Sequence, residues 1–207
     1  MRFFLLILTM FFVACNNVEK SKEEIKPTQE NSFQKFVKKF KPLNLPYKYY
    51  SVFGEDPDFS KMNPLDTTSI DTLFVSDIRH QDKIYCDGYL SDTSVFYSFI
   101  FYYPAQQFVP VISTYTKEGK LISQEGLIVS GCGVGDDLSY CSSTGIVNKD
   151  FTIFCADTLL FKGGTDESGK TLPPSDSITV EFKKGKINLD GIVLMEKEQR
   201  VEIKNKQ

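Results

Sequence analysis

The sequence predicts one all-β domain, an antiparallel sandwich or a partly closed barrel, with one short N-terminal helix. Three observations carry this. Beyond Pro46 the chain is a succession of short runs rich in aromatic and β-branched residues, divided by clusters of Asp, Gly, Pro and Ser. Only Asn31 to Lys41 places apolar residues at helical spacing. No helical pattern of about 10–15 residues alternates with the strand-like runs, which disfavours a doubly wound α/β fold.

Met1-Arg2 is a short basic start, and Phe3 to Ala14 (FFLLILTMFFVA) is an almost unbroken apolar run. A basic start, a short apolar core and a small residue before a cut describe a secretory signal. A membrane span needs roughly 20 apolar residues, more than this run offers. Cys15 follows the cut, after Val13 and Ala14, with Phe12 where an aliphatic residue is preferred. This arrangement resembles the lipobox of bacterial lipoproteins. The resemblance implies that the Cys15 thiol takes a diacylglycerol and the freed amine a further acyl chain. Two or more chains anchor stably where one does not. Residues 1–14 are then the signal peptide, and Cys15 holds the protein on a bilayer of the cell envelope. Asn16, in place of the Asp that resembles an inner-membrane retention signal, favours an outer membrane. Lys22-Glu23-Glu24 loosely resembles the charged surface-export tag of Bacteroidetes lipoproteins, although an ordinary charged linker is the preferred reading.

Residues 15–30 form the lipidated tether. Asn16 to Glu30 is polar and charged, with only Val18 and Ile25 as aliphatic residues. It buries too little surface to offset its ordering entropy, and a coil of this length reaches about 20 Å. Residues 31–207 remain as a single β-rich domain, well stocked for a core with an aromatic content of 14%. Charge is uneven. Asn16 to Lys41 holds seven Lys against four Glu, whereas Pro42 to Gln207 holds 16 basic and 23 acidic residues. An acidic domain on a basic stalk argues against nucleic acid, whose phosphates demand clustered cations. The stalk suits anionic headgroups, but lysines that simply solvate a helix face are the preferred reading.

In the helix, Phe33, Phe36, Val37 and Phe40 fall on one stripe. Asn31 is placed to cap it, Gln34 completes a capping box, and Pro42 ends it. The stripe is expected to seal one end of the domain, with partner binding as the alternative. Strands are expected at Tyr47–Phe53, Ile70–Val75, Lys83–Leu90, Ser94–Tyr103, Phe108–Thr116 and Leu121–Val129. Further strands are expected at Phe151–Cys155, Leu159–Lys162, Ser177–Phe182, Lys186–Leu194 and Arg200–Lys204. Two turns read as hairpins, Lys117-Glu118-Gly119-Lys120 and Lys183-Lys184-Gly185-Lys186, each with Gly to supply a positive φ.

The lipobox, the Phe-rich helix before Leu45-Pro46-Tyr47, and the unit Tyr115-x-x-x-Gly119-Lys120-Leu121-Ile122 together resemble small Bacteroidetes lipoproteins of uncharacterised function. The resemblance implies location and β architecture and carries no catalytic residue to this chain.

Candidate chemistry is sparse. After Cys15 come Cys86, Cys132, Cys141 and Cys155, which allow three connectivities. No C-x-x-C exists, so a zinc ribbon or redox pair has little support. Cys132 and Cys141 flank the Gly-rich CGVGDDLSYC, and a bridge there would pin a loop that is costly to order. Buried thiols packing as small hydrophobes are the competing reading, and a Cys86–Cys155 bridge is the other pairing considered. Gly131, Gly133 and Gly135 are followed by Asp136 and Asp137 and by no helix, which speaks against phosphate binding. Those aspartates, or Glu55, Asp56 and Asp58, fit no calcium loop and read better as turn residues bonding local backbone. His80 is the single histidine, so neither a triad nor a multi-His metal site is indicated. Paired carboxylates remain a standing option. Val95 to Tyr103 is apolar or aromatic on both faces and reads best as a central strand buried on both sides. The functional expectation is a non-catalytic binding or adaptor module of the cell envelope, for a protein, peptide or glycan. It needs no cofactor, metal or nucleic acid. An envelope hydrolase using two carboxylates and an inhibitor or immunity-type lipoprotein are the alternatives.

Overall fold

The computed structural model describes residues 32–66, 70–75, 83–91, 94–130, 132, 138–161, 168–170 and 177–204. The expected signal and tether with Cys15, and Asn31, His80, Gly131, Gly133, Gly135, Asp136 and Asp137, lie outside them. The architecture is two antiparallel-rich sheets with one short helix and no closed barrel, so the sandwich alternative holds.

The helix α1 spans Ser32–Val37. Strands follow as β1 Pro42–Leu43, β2 Tyr47–Val52, β3 Asn63–Pro64, β4 Tyr85–Leu90, β5 Tyr97–Tyr103 and β6 Val109–Tyr115. The rest are β7 Leu121–Gly126, β8 Leu138–Val147, β9 Thr152–Phe161, β10 Ser177–Ile187, β11 Val193–Met195 and β12 Gln199–Lys204. The first sheet runs β1-β4-β5-β6-β7, with β3 also on β4. The second runs β11-β10-β9-β8-β2, with β12 also on β10. The β1–β4 pair is parallel and the others are antiparallel.

β5 divides two apolar layers. Ile100 and Tyr102 meet Tyr47, Tyr49, Val147 and Ile153 of the second sheet. Phe99 and Phe101, one residue out of phase, meet Phe33, Phe36, Val37 and Phe40. Strand alternation makes this division, and it fulfils the expectation of a central strand buried on both sides. The helix stripe therefore covers the outer face of the first sheet rather than sealing an end. The reason is aromatic fit: the rings of Phe36 and Phe99 sit 5.5 Å apart and those of Phe33 and Tyr115 5.7 Å. Each such ring contributes about 1.5–3 kcal/mol by leaving water.

Four strand expectations need correction. Ile70–Leu73 is a 3-10 helix: Asp71 is buried, takes the Asp66 N–H at 2.9 Å and pairs with Lys39 at 2.6 Å. The local bond from Asp66 and those from the Phe74 and Val75 N–H groups to the Asp71 carbonyl hold the segment in a turn, and Lys39 ties it to the end of the helix. Phe151–Cys155 and Leu159–Lys162 fuse into the single strand β9, because Asp157 is a core acceptor and not a turn residue. The Lys183–Lys186 hairpin does not form, and β10 runs straight through it. The turn lies at Asn188–Gly191, where Asn188 Oδ1 accepts the N–H of Asp190 at 3.0 Å and of Ile192 at 2.9 Å. Gly185 is instead a contact glycine, since a Cβ there would lie 2.6 Å from the Leu194 carbonyl oxygen. Finally, β8 (LSYCSSTGIV) lacks the composition of a strand, and its ten residues are held in place by pairing with β2 and β9 on both sides.

Candidate functional site

The polar and apolar sides of the second sheet are exchanged over one corner. In β10, Ile178, Val180 and Phe182 alternate with Thr179, Glu181 and Lys183. Such a pattern ordinarily sends the apolar set inward. Here the polar set turns toward the first sheet. Ser130, just beyond β7, donates its N–H to Asp157 Oδ2 at 3.0 Å. Its hydroxyl donates to Asp157 at 3.4 Å and to Glu181 Oε2 at 3.3 Å. Arg200 Nη1 stands 3.5 Å from Glu181 Oε1. Asp157 is 0% exposed and Thr179 is buried. In register, Ser51, Ser143, Asp157, Glu181 and Arg200 form one transverse polar row across β2, β8, β9, β10 and β12. A buried carboxylate is costly unless hydrogen bonds satisfy it, and Ser130 supplies two to Oδ2.

The apolar set faces outward. Leu160, Ile178 and Ile203 are cross-strand neighbours, as are Thr158, Val180 and Val201, and Ala156 opposes Phe182. Phe154 and Phe182 place their ring centroids 6.2 Å apart. Toward β2 the face ends in Tyr50 and Tyr140, whose hydroxyls are 3.1 Å apart, Tyr50 being 62% exposed. That shared hydrogen bond raises the Tyr50 phenol, and bonds from Ser142 and Tyr50 lower that of Tyr140. Lys48, Lys184 and Lys186 are the charged residues at outward strand positions, and no Asp or Glu occupies one among the described residues. A cavity of about 550 Å³ opens beside them, lined by Phe154, Lys184, Lys186, Leu194, Met195 and Glu196. Ile178, Val180 and Phe182 are half-buried, and Val201, Ile203 and Leu194 at the margins are exposed. The face can hold apolar side chains and pair its lysines with acidic groups.

The other sequence-predicted positions are structural. Cys132 and Cys141 are joined by a disulfide, with Cα atoms 5.6 Å apart. Cys86 and Cys155 are free and buried. They belong to different apolar layers, Cys86 under α1 and Cys155 between the sheets, so no bridge joins them. Asp58 caps a 3-10 helix at Phe59–Lys61, and the Lys61 ammonium and Ser60 hold its carboxyl down at about 2. Asp157 and Glu181 do converge, on one hydroxyl. Yet the nearby 250 Å³ cleft is lined by Ser130 and Cys132 and by neither carboxylate.

Sequence reading missed the outward face because it assigns alternating apolar residues to the core. The available signal was Asp157. A carboxylate inside a long apolar strand requires a polar interior, and a polar interior turns the apolar phase outward. No protein family matches the chain, and no curated protein or solved structure is detectably similar to it.

Proposed function

We propose that the chain is a non-catalytic lipoprotein of the cell envelope, anchored through Cys15 to an outer membrane. On this reading its second sheet is a binding module for a protein or peptide that presents apolar side chains beside acidic ones. One observation carries the reading: Ile178, Val180 and Phe182 are turned away from the core while Thr179 and Glu181 are turned into it. An apolar sheet face left partly exposed is costly in water and marks an interaction site. The lysines at its end add charge selectivity and a faster encounter more than raw affinity. The hydrolase alternative has less support, since Asp157 is wholly enclosed and bonded to a main-chain N–H.

Selection of a random peptide library on the purified protein, beside a glycan array, tests this. The expected result is enrichment of aromatic or aliphatic peptides carrying Asp or Glu. Phe182→Asp and Lys184→Glu should each weaken a selected peptide about tenfold or more. Glycan binding without peptide enrichment, or affinities untouched by both substitutions, would overturn it.

A further inference from the structure

We infer that two copies of this chain join through β12, antiparallel and about a two-fold axis at Val201, so that the second sheet continues from one protomer into the next. The inference rests on the sheet edge and is independent of what occupies the outward face.

β12 pairs with β10 alone among the described residues, which leaves its other edge as a row of main-chain donors and acceptors. Such an edge is a template for another strand. The side chains on it are self-complementary. Directly opposed residues in an antiparallel pair share a face, so only registers that match inward to inward and outward to outward positions are open. With Val201 opposite Val201, Arg200 opposes Glu202 of the second copy and Glu202 opposes Arg200. Shifting to Arg200 opposite Arg200 stacks like charges and brings Glu198 against Glu202. Shifting the other way sets Glu202 against Glu202. Like charges directly opposed are unfavourable, and opposite charges favourable. Centring on Gln199 keeps only the pair Arg200–Glu198 and sets Glu202 against Glu196, and centring on Ile203 keeps only Glu202–Lys204, whereas the Val201 register gives both Arg200–Glu202 and Glu198–Lys204 and is the one the charges favour.

The apolar positions agree with it. Val201 is 47% exposed and Ile203 50%. The two-fold axis is perpendicular to the sheet, so both copies turn these residues to the same side. Val201 then meets Val201, and the outward strip of Ile178, Val180, Val201 and Ile203 becomes continuous across the junction. A two-fold contact of this kind closes on itself and stops at two copies.

Sedimentation equilibrium of the purified protein over a concentration series should give a monomer–dimer fit. Glu202→Arg should weaken the dimer about tenfold or more, and Arg200→Glu with Glu202→Arg, combined with Glu181→Arg to keep the pair inside each chain, should restore it. Circular dichroism should report an unchanged fold in each. Val201→Cys provides a second readout that needs no charge change. Under mild oxidation it should cross-link two chains, faster than Ile203→Cys and much faster than Leu189→Cys on the exposed turn. A protein that stays monomeric throughout, an open-ended series of oligomers, a charge swap without rescue, or cross-linking no faster at 201 than at 203 would each overturn the inference.

Discussion

A Cβ placed on Gly119 would lie 2.5 Å from Cγ of Phe33, so the tip of the β6–β7 hairpin and the first turn of α1 share one space. Gly119 has φ +92°, where a side chain is strained in any case. Phe33 fills the place a side chain would take and touches Phe74, Tyr97, Phe99 and Tyr115. The turn glycine thus serves two purposes, the hairpin's backbone and the docking of the helix.

Gly119→Ala should therefore cost more than a turn substitution on open surface, about 2–3 kcal/mol from strain and displaced packing together. Gly54 is the control. It also has a positive φ, +85°, but nothing lies within 4 Å of where its Cβ would be. Gly54→Ala should cost about 1 kcal/mol. Urea unfolding of both variants checks the difference, and equal losses would mean that the Phe33 contact contributes nothing.

The aromatic layer under α1 predicts a second cost. Phe36 is fully buried against Phe40, Phe74 and Phe99. Phe36→Ala should lower stability by about 3–5 kcal/mol. Hydrogen exchange should show α1 opening well below the global unfolding energy, while the strands between the two sheets stay protected. A loss under 1 kcal/mol would show that the helix is dispensable to the sandwich.

Alkaline stability follows from buried acids. Burial pushes the Cys155 thiol from an ordinary 9.0 up to about 12, and burial likewise raises Cys86, Tyr47, Tyr102 and Tyr115. Unfolded, these groups lose protons near their ordinary values, while the native state keeps them. Raising the pH therefore favours unfolding. The stability they provide is intact below about pH 8 and falls from about pH 9 upward. For Cys155 the loss is complete near pH 12. Each such group adds a slope of about 1.4 kcal/mol per pH unit within its window. Urea midpoints measured from pH 7 upward should show the decline, and Cys155→Ala should flatten it by about one proton's slope. An identical slope in the variant would remove Cys155 from the account.

The cysteine pairing can be counted. In denatured, unreduced protein two of the four cysteines after Cys15 should titrate as thiols, and peptide mapping should find Cys132 linked to Cys141. Closing so short a loop constrains the unfolded chain by about 2–3 kcal/mol, so reduction should lower stability by that order. Four free thiols would exclude the bridge.

The proposed lipid anchor is the simplest to test. Cys15→Ser should release the protein from membranes and abolish acyl labelling. Retention on membranes together with loss of label would leave the anchoring to something other than the lipobox cysteine.

The sequence by itself determined the all-β class, the single short helix, the Gly119 hairpin and the placement of most strands in the first sheet. Those features rest on local causes: the spacing of four apolar residues, a turn that demands a positive φ, and runs of aromatic and β-branched side chains. Cys132 and Cys141 were also legible as a pair, because only eight residues of Gly-rich chain lie between them. In the second sheet β2, β12 and parts of β9 and β10 were legible as well, and the tertiary structure decided the rest. β8 is strand because β2 and β9 pair with it, not because Ser, Gly and Cys favour extension. β9 passes straight through Asp157 because Ser130, brought from the other sheet, bonds the carboxylate. That one buried acceptor reverses the side of the sheet on which apolar residues lie, and it produced the candidate binding face. Alternation along a strand reports which residues share a face, but which face meets water is settled only when a distant hydrogen-bonding partner arrives.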